Sequence, residues 1–216
     1  NGAGKTTLIS IICGLVVPTG GTVRDWTLFT ATTGDYEAQG NGNFAGTAVT
    51  SGTLGLLDDE LVLDLVNGME ELEVGDGLLI GGMERARVDA VDGATLTIGR
   101  GCEDTVRTAW PSGTRVWAID EDRAADATVY LEGEEVSAKA STNAAAGPLP
   151  LADAPTEVLE IVGRPRLPYP PGRLRIDGAI APSTATGTPT VTWAHRSRIV
   201  QADQLVDEKT GEGYFR

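Results

Sequence analysis

The feature that most constrains the fold is a stretch of alternating apolar and polar residues on both sides of an Asp-Gly pair at 92–93. Apolar residues occupy every second position from 86 to 90, and again from 94 to 98. Alternation with a period of two is typical of a half-buried β-strand, and an Asp-Gly pair accepts the positive φ angles of a type I′ turn. The stretch therefore predicts a β-hairpin that turns at 92–93 and carries Ala86 and Ala90 on one face.

A loop and a third strand are expected after this hairpin. Trp110 precedes a proline, which disfavours helix, and residues 116–119 predict a returning strand. Cys102 lies in the loop between them, and we expect it to be buried or to line the loop. A nucleophilic Cys102 would need a base nearby, but the one histidine of the chain, His195, is distant in sequence.

Composition also favours short strands over long helices. The 216 residues include 28 glycines and 11 prolines, and only 5% are aromatic. Further strands are predicted around Trp26 and Leu28, through Val129 and Leu131, and over Thr156–Val162, whereas the small residues of 137–155 predict an exposed hairpin or loop. The predicted fold class is mainly β, with a short-stranded β domain over 24–163.

Charge is distributed unevenly along the chain, whose formal net charge is −14. Residues 24–163 hold 8 basic and 26 acidic side chains, whereas residues 164–216 hold 8 basic and 5 acidic ones. Because binding to nucleic acid requires a basic face, so acidic a block argues against a nucleic-acid partner. The acidic side chains are expected to form a solvated surface.

No pattern predicts a metal site, a disulfide or a membrane span. Cys13 and Cys102 lie in unlike contexts, which favours two unpaired thiols over a bridge. Asp58, Asp59 and Glu60 are adjacent, so their carboxylates should point in different directions and form a solvated turn or a helix start. No apolar run approaches the ~20 residues that a membrane-spanning helix needs.

The chain opens with NGAGKTT, and residues 1–23 resemble the nucleotide-binding loop and first helix of an ABC-transporter ATPase. Glycine backbone N–H groups would approach phosphate oxygens, the lysine would supply a positive charge, and a threonine would hold Mg²⁺. The resemblance implies ATP and Mg²⁺ as cofactors and a place at the cytoplasmic face of the inner membrane. The residues implied to bind the nucleotide are Gly2, Gly4, Lys5, Thr6 and Thr7.

The downstream sequence does not continue this ATPase pattern. An apolar strand ending in Asp-Glu is expected, but Leu61–Val66 has only Asp64, and the faint signature echo at Leu79–Met83 has Ile80 where serine should stand. The βα alternation of such a domain is absent from the pattern. We therefore expect residues 1–23 to form no functional domain. The abrupt change near Val23 suggests a chimaeric or misassembled reading frame and a piece of a longer protein.

A second resemblance covers most of residues 26–216. It is to the tail proteins of double-stranded DNA phages and prophages, from the tail tip or baseplate, and it is carried by Glu84, Arg87, Val88, Val91-Asp92-Gly93, Thr95-Leu96-Thr97, Arg100-Gly101, Asp104-Thr105 and Gly113-Thr114-Arg115-Val116-Trp117. It implies a structural, non-enzymatic protein that is made in the bacterial cytoplasm and assembled into the virion tail. The implied partners are other tail proteins or copies of the chain, and a host-surface glycan or receptor. A carbohydrate- or receptor-binding β module remains an alternative.

The C-terminal quarter is set apart by a proline-rich segment at 164–172, which predicts a linker. Residues 173–216 then resemble the opening strands of a fibronectin type III-like β-sandwich, in truncated form. That resemblance implies that Trp193 is a core residue.

Overall fold

The computed structural model describes residues 23–119, 126–163, 167–180, 182–198 and 205–209. Within these residues the chain forms thirteen β-strands and no helix, so the prediction of a mainly β fold is confirmed. The short helix expected near the N-terminus falls outside the described residues. In the described part, no helix has the length and apolarity to cross a membrane. In chain order the strands are β1 (Val23–Ala31), β2 (Glu37–Gly42), β3 (Thr47–Thr50), β4 (Glu60–Asn67), β5 (Gly77–Ile80), β6 (Glu84–Asp92), β7 (Thr95–Gly99), β8 (Arg115–Ile119), β9 (Glu135–Ala144), β10 (Gly147–Pro148), β11 (Glu157–Glu160), β12 (Gly172–Ile176) and β13 (Val191–Ala194).

The chain divides into two compact units that each combine separate stretches of sequence. Of the described residues, the first unit contains those up to Ala45 and those from Ile119 to Leu167, and the second contains those from Gly46 to Ala118 and those from Pro168 onward. The domain boundaries expected at 163 and 172 rest on sequence composition and not on spatial contacts, and they stay predictions.

The first unit is a curled antiparallel sheet with the order β10-β9-β1-β2, and β11 also pairs with β9. Trp26 and Leu28 of β1 face its core together with Ala138 and Ala140 of β9. The Trp26 indole Nε1 donates a hydrogen bond of 2.8 Å to the Asn43 carbonyl. Large side chains on one strand thus pack against small ones on its neighbour.

Of two expectations for this unit, one holds in part and one is wrong. Residues 137–155 do contain a hairpin, because β10 pairs antiparallel with β9. Its first strand is not exposed, however, since β9 lies between β1 and its own edge partners and packs small side chains against Trp26. The expected strand through Val129 and Leu131 is absent, and Val129 is 87% exposed. The strand expected over Thr156–Val162 is present as β11.

The second unit contains a closed antiparallel barrel of six strands in the order β3-β4-β7-β6-β5-β8. Leu54 and Trp110 close one end, since each donates its N–H to the carbonyl of the other, at 2.9 and 2.8 Å. At the opposite end Met69 and Leu72 pack against the same core. The inward side chains that fill the barrel are Ala48, Leu61, Leu63, Leu78, Ile80, Ala86, Val88, Leu96, Ile98, Val116 and Ala118.

The predicted hairpin is present as β6 and β7, but its turn and one face differ from the expectation. Asp92 pairs with Thr95, so the two loop residues are Gly93 and Ala94. Gly93 has a φ of 60° and Ala94 is not in the positive-φ region, as in a type II′ turn. The register also shifts between Val88 and Ala90. This bulge turns Ala90 outward, which ends the alternation that the sequence predicts.

The strands β12 and β13 form a small two-stranded sheet in the second unit. The expectation that Trp193 is a core residue is wrong for the described chain, because 57% of Trp193 is exposed and no described element covers it. Tyr169, inside the segment expected to be a linker, is buried instead. The Arg196 and Arg198 guanidinium carbons lie 5.3 and 4.3 Å from its ring centroid, which indicates cation–π contacts.

Candidate functional site

The most concentrated polar chemistry in the described residues is a buried ion pair between Glu84 and Arg100 at one end of the barrel. Arg100 Nε donates to Glu84 Oε1 at 2.9 Å, and Arg100 Nη2 donates to Glu84 Oε2 at 2.7 Å. Both side chains are almost completely buried. Glu84 begins β6 and Arg100 follows β7, so the pairing of these two strands brings the charges together.

Glu84 also accepts hydrogen bonds from the loop that follows β7. The donors are the backbone N–H of Gly101 at 3.2 Å, the backbone N–H of Thr108 at 3.1 Å and the Trp110 indole Nε1 at 2.7 Å. With the two bonds from Arg100 the carboxylate has five donors, which fills the roughly four lone-pair sites that a carboxylate offers. Glu84 therefore fixes the loop and has no capacity left for a substrate.

The remaining Arg100 donors are used by backbone carbonyls. Arg100 Nη1 lies 2.6 Å from the Gly55 oxygen and 3.2 Å from the Asp58 oxygen, and Nη2 also donates to the Thr108 oxygen. A buried guanidinium whose donors are all paired is a structural cross-link between loops. The ion pair thus closes the barrel and offers no reactive group.

A second feature lies beside this loop and is defined here as the arginine groove: Arg87, Arg107 and Arg196, with the backbone of residues 100–103. It holds the chain's own segment Leu205–Lys209. Arg87 Nη1 donates to the Leu205 oxygen at 2.7 Å, and its Nη2 lies 3.4 Å from Asp207 Oδ2. Arg107 Nε lies 3.0 Å from Glu208 Oε1, an ion pair without hydrogen-bond alignment.

Backbone hydrogen bonds also hold the same segment in the arginine groove. The Glu103 N–H donates to the Val206 oxygen at 3.0 Å, and the Glu208 N–H donates to the Arg100 oxygen at 2.9 Å. Arg196 Nη2 donates to the same Val206 oxygen. Glu103 has a φ of 56°, a left-handed conformation that is costly for a residue with a side chain, and the bond to Val206 helps to hold it.

The carboxylates at 58–60 do not converge. Asp58 accepts the Gly55 N–H at 2.7 Å, whereas Asp59 accepts from Arg107 Nη2 at 2.7 Å and from Lys209. Burial raises the pKa of Asp59, but the hydrogen bonds and charges of Lys209 and Arg107 outweigh it and lower the pKa below its usual value. In the part of the chain that the structure describes, no group of His, Cys, Asp and Glu is placed to hold a metal ion.

Cys102 is buried beside the arginine groove, as the sequence predicts. Its Sγ lies 3.4 Å from the Gly99 oxygen and 3.8 Å from the Leu205 oxygen. Burial raises the pKa of the Cys102 thiol to about 12. A thiol with so high a pKa is protonated at neutral pH and is a poor nucleophile.

The residues implied to bind ATP, namely Gly2, Gly4, Lys5, Thr6 and Thr7, lie outside the described residues, and His195 is exposed. The sequence did not reveal the arginine groove, because its parts come from three separate stretches, at 87, 100–107 and 196, and the segment that it holds comes from a fourth. The one sequence feature that pointed to the groove was the excess of basic residues after position 164, in the same part of the chain as the acidic pair Asp207 and Glu208. Comparison of the chain with models of known protein families and with curated proteins finds no match.

Proposed function

We propose that the chain is a structural component of a phage or prophage tail, from the tip or baseplate, and that it acts by assembly and not by catalysis. It would be made in the bacterial cytoplasm and would reside in the virion tail. Its partners would be copies of itself or neighbouring tail proteins, and in the tip a host glycan or receptor.

The proposal is supported by the contacts that the residues of the tail-type pattern make in the fold. Glu84 and Arg100 form the buried ion pair, and Gly101 donates to Glu84. Thr105 accepts the Arg85 N–H at 3.1 Å and donates to the Cys102 oxygen at 2.7 Å. These residues build a rigid framework and present no reactive group, which supports a scaffold.

The proposal extends to the fold of residues 173–216. We assign residues 173–216 to the opening of a fibronectin type III-like sandwich. The strands β12 and β13, joined through Arg175 and Thr192, are consistent with its first hairpin.

The test is the location of the chain in particles. A host lysate that contains assembled virions is separated on a density gradient, and the chain is detected by mass spectrometry in whole particles, isolated tails and heads. We expect it in particles and tails, at a fixed ratio to other tail proteins, and not in heads. Recovery only from soluble or membrane fractions of the host would refute the proposal.

Two other functions make different predictions. If residues 1–23 hold a working nucleotide site, titration with ATP and Mg²⁺ should give micromolar binding that Lys5→Ala abolishes; we expect no such binding. If the exposed Trp193 stacks on a sugar, the full chain should bind particular glycans on an array and Trp193→Ala should not.

A further inference from the structure

The segment Leu205–Lys209 occupies the arginine groove through contacts that do not depend on which copy of the chain supplies it. Three of its carbonyl oxygens, those of Leu205, Val206 and Lys209, accept hydrogen bonds from arginine side chains. Its two carboxylates also meet arginines. The Arg173 N–H, at 2.8 Å from the Glu208 oxygen, adds a further backbone bond. The groove therefore recognises a short acidic peptide.

We propose that the arginine groove is an exchange site, in which the segment Leu205–Lys209 of a second copy of this chain replaces the resident one and links the copies. The inference deepens the proposed function, on which it rests, because it names a contact through which copies assemble. The identical segment makes the same contacts from either chain, which is the basis of domain swapping. A reciprocal exchange between two copies leaves no groove vacant.

The charges around the groove favour this occupant. The segment places Asp207 and Glu208 against Arg87 and Arg107, and Lys209 points to Asp59. A segment of reversed charge would meet two arginines and be repelled. Since the chain as a whole has a net charge of −14, the groove is a local basic site on a molecule that otherwise repels its copies.

Concentration decides between the resident and the donated segment. A tethered segment is held at an effective concentration that is on the order of millimolar for a short linker. A second copy competes when copies are crowded to a similar concentration, as neighbours in an assembly are. Exchange should therefore be rare in dilute solution and frequent in a tail.

Cys102 reports whether the groove is occupied. Its Sγ lies 3.8 Å from the Leu205 oxygen and 3.4 Å from the Gly99 oxygen, and Asp207 lies against Gly99. When the segment Leu205–Lys209 leaves the groove, this side of the Cys102 thiol becomes exposed. All measurements use the full chain with Cys13→Ser, so that Cys102 is the one cysteine that reacts.

The test uses two charge-reversed variants. The segment variant is Asp207→Lys with Glu208→Lys, and the groove variant is Arg87→Glu with Arg107→Glu. Each alone has a mismatched segment and groove. In an equimolar mixture, the unchanged arginine groove of the segment variant can bind the unchanged acidic segment of the groove variant. The reverse contact pairs the new glutamates of the altered groove with the new lysines of the altered segment. Reciprocal exchange thus gives two matched contacts.

We expect each variant alone to sediment as a monomer and the mixture to form a species of twice the mass, because only the mixture allows two matched contacts. A mixture that stays monomeric, with both variants folded by circular dichroism, refutes exchange. If the wild type is nevertheless found in tails, the tail function stands and this contact alone is wrong.

A peptide measurement decides the matter if the groove variant does not fold. The segment variant keeps an intact groove with no matching segment, and the probe is a fluorescein-labelled peptide of residues 203–210. We expect this peptide to bind at least tenfold more tightly than one with both acidic residues replaced by lysine, and to slow the reaction of Cys102 with a thiol reagent. Equal binding of the two peptides overturns the proposal.

Discussion

Glu84 and Arg100 form a buried ion pair with two hydrogen bonds, of 2.9 and 2.7 Å, and the loop after β7 is built around it. Each charge depends on the other, because neither side chain reaches water. Removal of one partner leaves an uncompensated charge in an apolar barrel, which costs more than the pair itself contributes.

Arg100→Met should destabilise the second unit by about 3–5 kcal/mol, because Glu84 would then be buried without its counter-charge. The measurement is urea-induced unfolding followed by circular dichroism. The matched control is Arg115→Met, which removes an exposed guanidinium at the start of β8 and should change stability by less than about 0.5 kcal/mol.

A second replacement at Glu84 should recover part of this loss. Glu84→Gln combined with Arg100→Met removes both charges, so the double variant should be less destabilised than the sum of the two single variants. Strict additivity would contradict the coupling of these residues.

Two adjacent glycines provide a matched pair of substitutions. Gly81 and Gly82 both have positive φ angles, of 59° and 75°, but a Cβ on Gly81 would lie 2.2 Å from the Trp110 ring, whereas one on Gly82 would have no atom within 4 Å. Gly82→Ala should cost about 1 kcal/mol of backbone strain. Gly81→Ala should cost in addition about 1–3 kcal/mol, because Trp110 must move.

Thermal or urea unfolding of the two glycine variants measures this difference directly. Equal losses of stability would mean that Trp110 does not close the barrel end as described.

The Cys102 thiol should be unreactive in the folded chain. In a Cys13→Ser background at pH 8, its reaction with a disulfide reagent should be at least roughly a thousandfold slower than in the urea-unfolded chain, since an ordinary thiol has a pKa of about 8.5 and that of Cys102 is about 12. The raised pKa means that the protonated thiol stabilises the fold fully below pH ~8.5 and that this contribution is lost as the pH rises towards 12.

Rapid labelling of Cys102 at pH 8 under native conditions, at a rate independent of urea at low concentration, would show that the thiol is accessible. Cys102→Ala should remove this alkaline loss of stability, and serves as the control.

The two tryptophans Trp110 and Trp193 should respond differently to truncation. Trp110→Ala should cost about 3–5 kcal/mol, because the ring fills the barrel end and donates to Glu84. Trp193→Ala should change stability by less than about 1 kcal/mol, because most of its ring is already exposed. A large loss on Trp193→Ala would restore the expectation that it is a core residue.

Local sequence patterns predicted some of the strands. The hairpin of β6 and β7 was evident because alternation and a turn glycine are properties of neighbouring residues. The bulge after Val88 was not, because it depends on how two strands match across the barrel. The same holds for β9, whose alanines indicate a central strand only once Trp26 is known to lie opposite.

The site was harder to predict than the fold. Glu84 and Arg100 belong to the tail-type sequence pattern, but their contact follows from the barrel register and not from their spacing. The arginine groove joins residues such as Arg87 and Asp207, which are 120 positions apart. Contacts of that range are set by tertiary structure and have no signature in a single sequence.

The two ends of the chain segment that forms the barrel lie next to each other. Thr47 of β3 pairs with Trp117 of β8, and the Ala118 N–H donates to the Gly46 oxygen at 2.8 Å. A stretch whose two ends touch can be gained, lost or traded by recombination without changing the distance that the flanking chain must span. Residues 46–118 therefore have the geometry of an exchangeable cassette, and evolutionary change in such a protein could proceed by replacing the whole barrel at once.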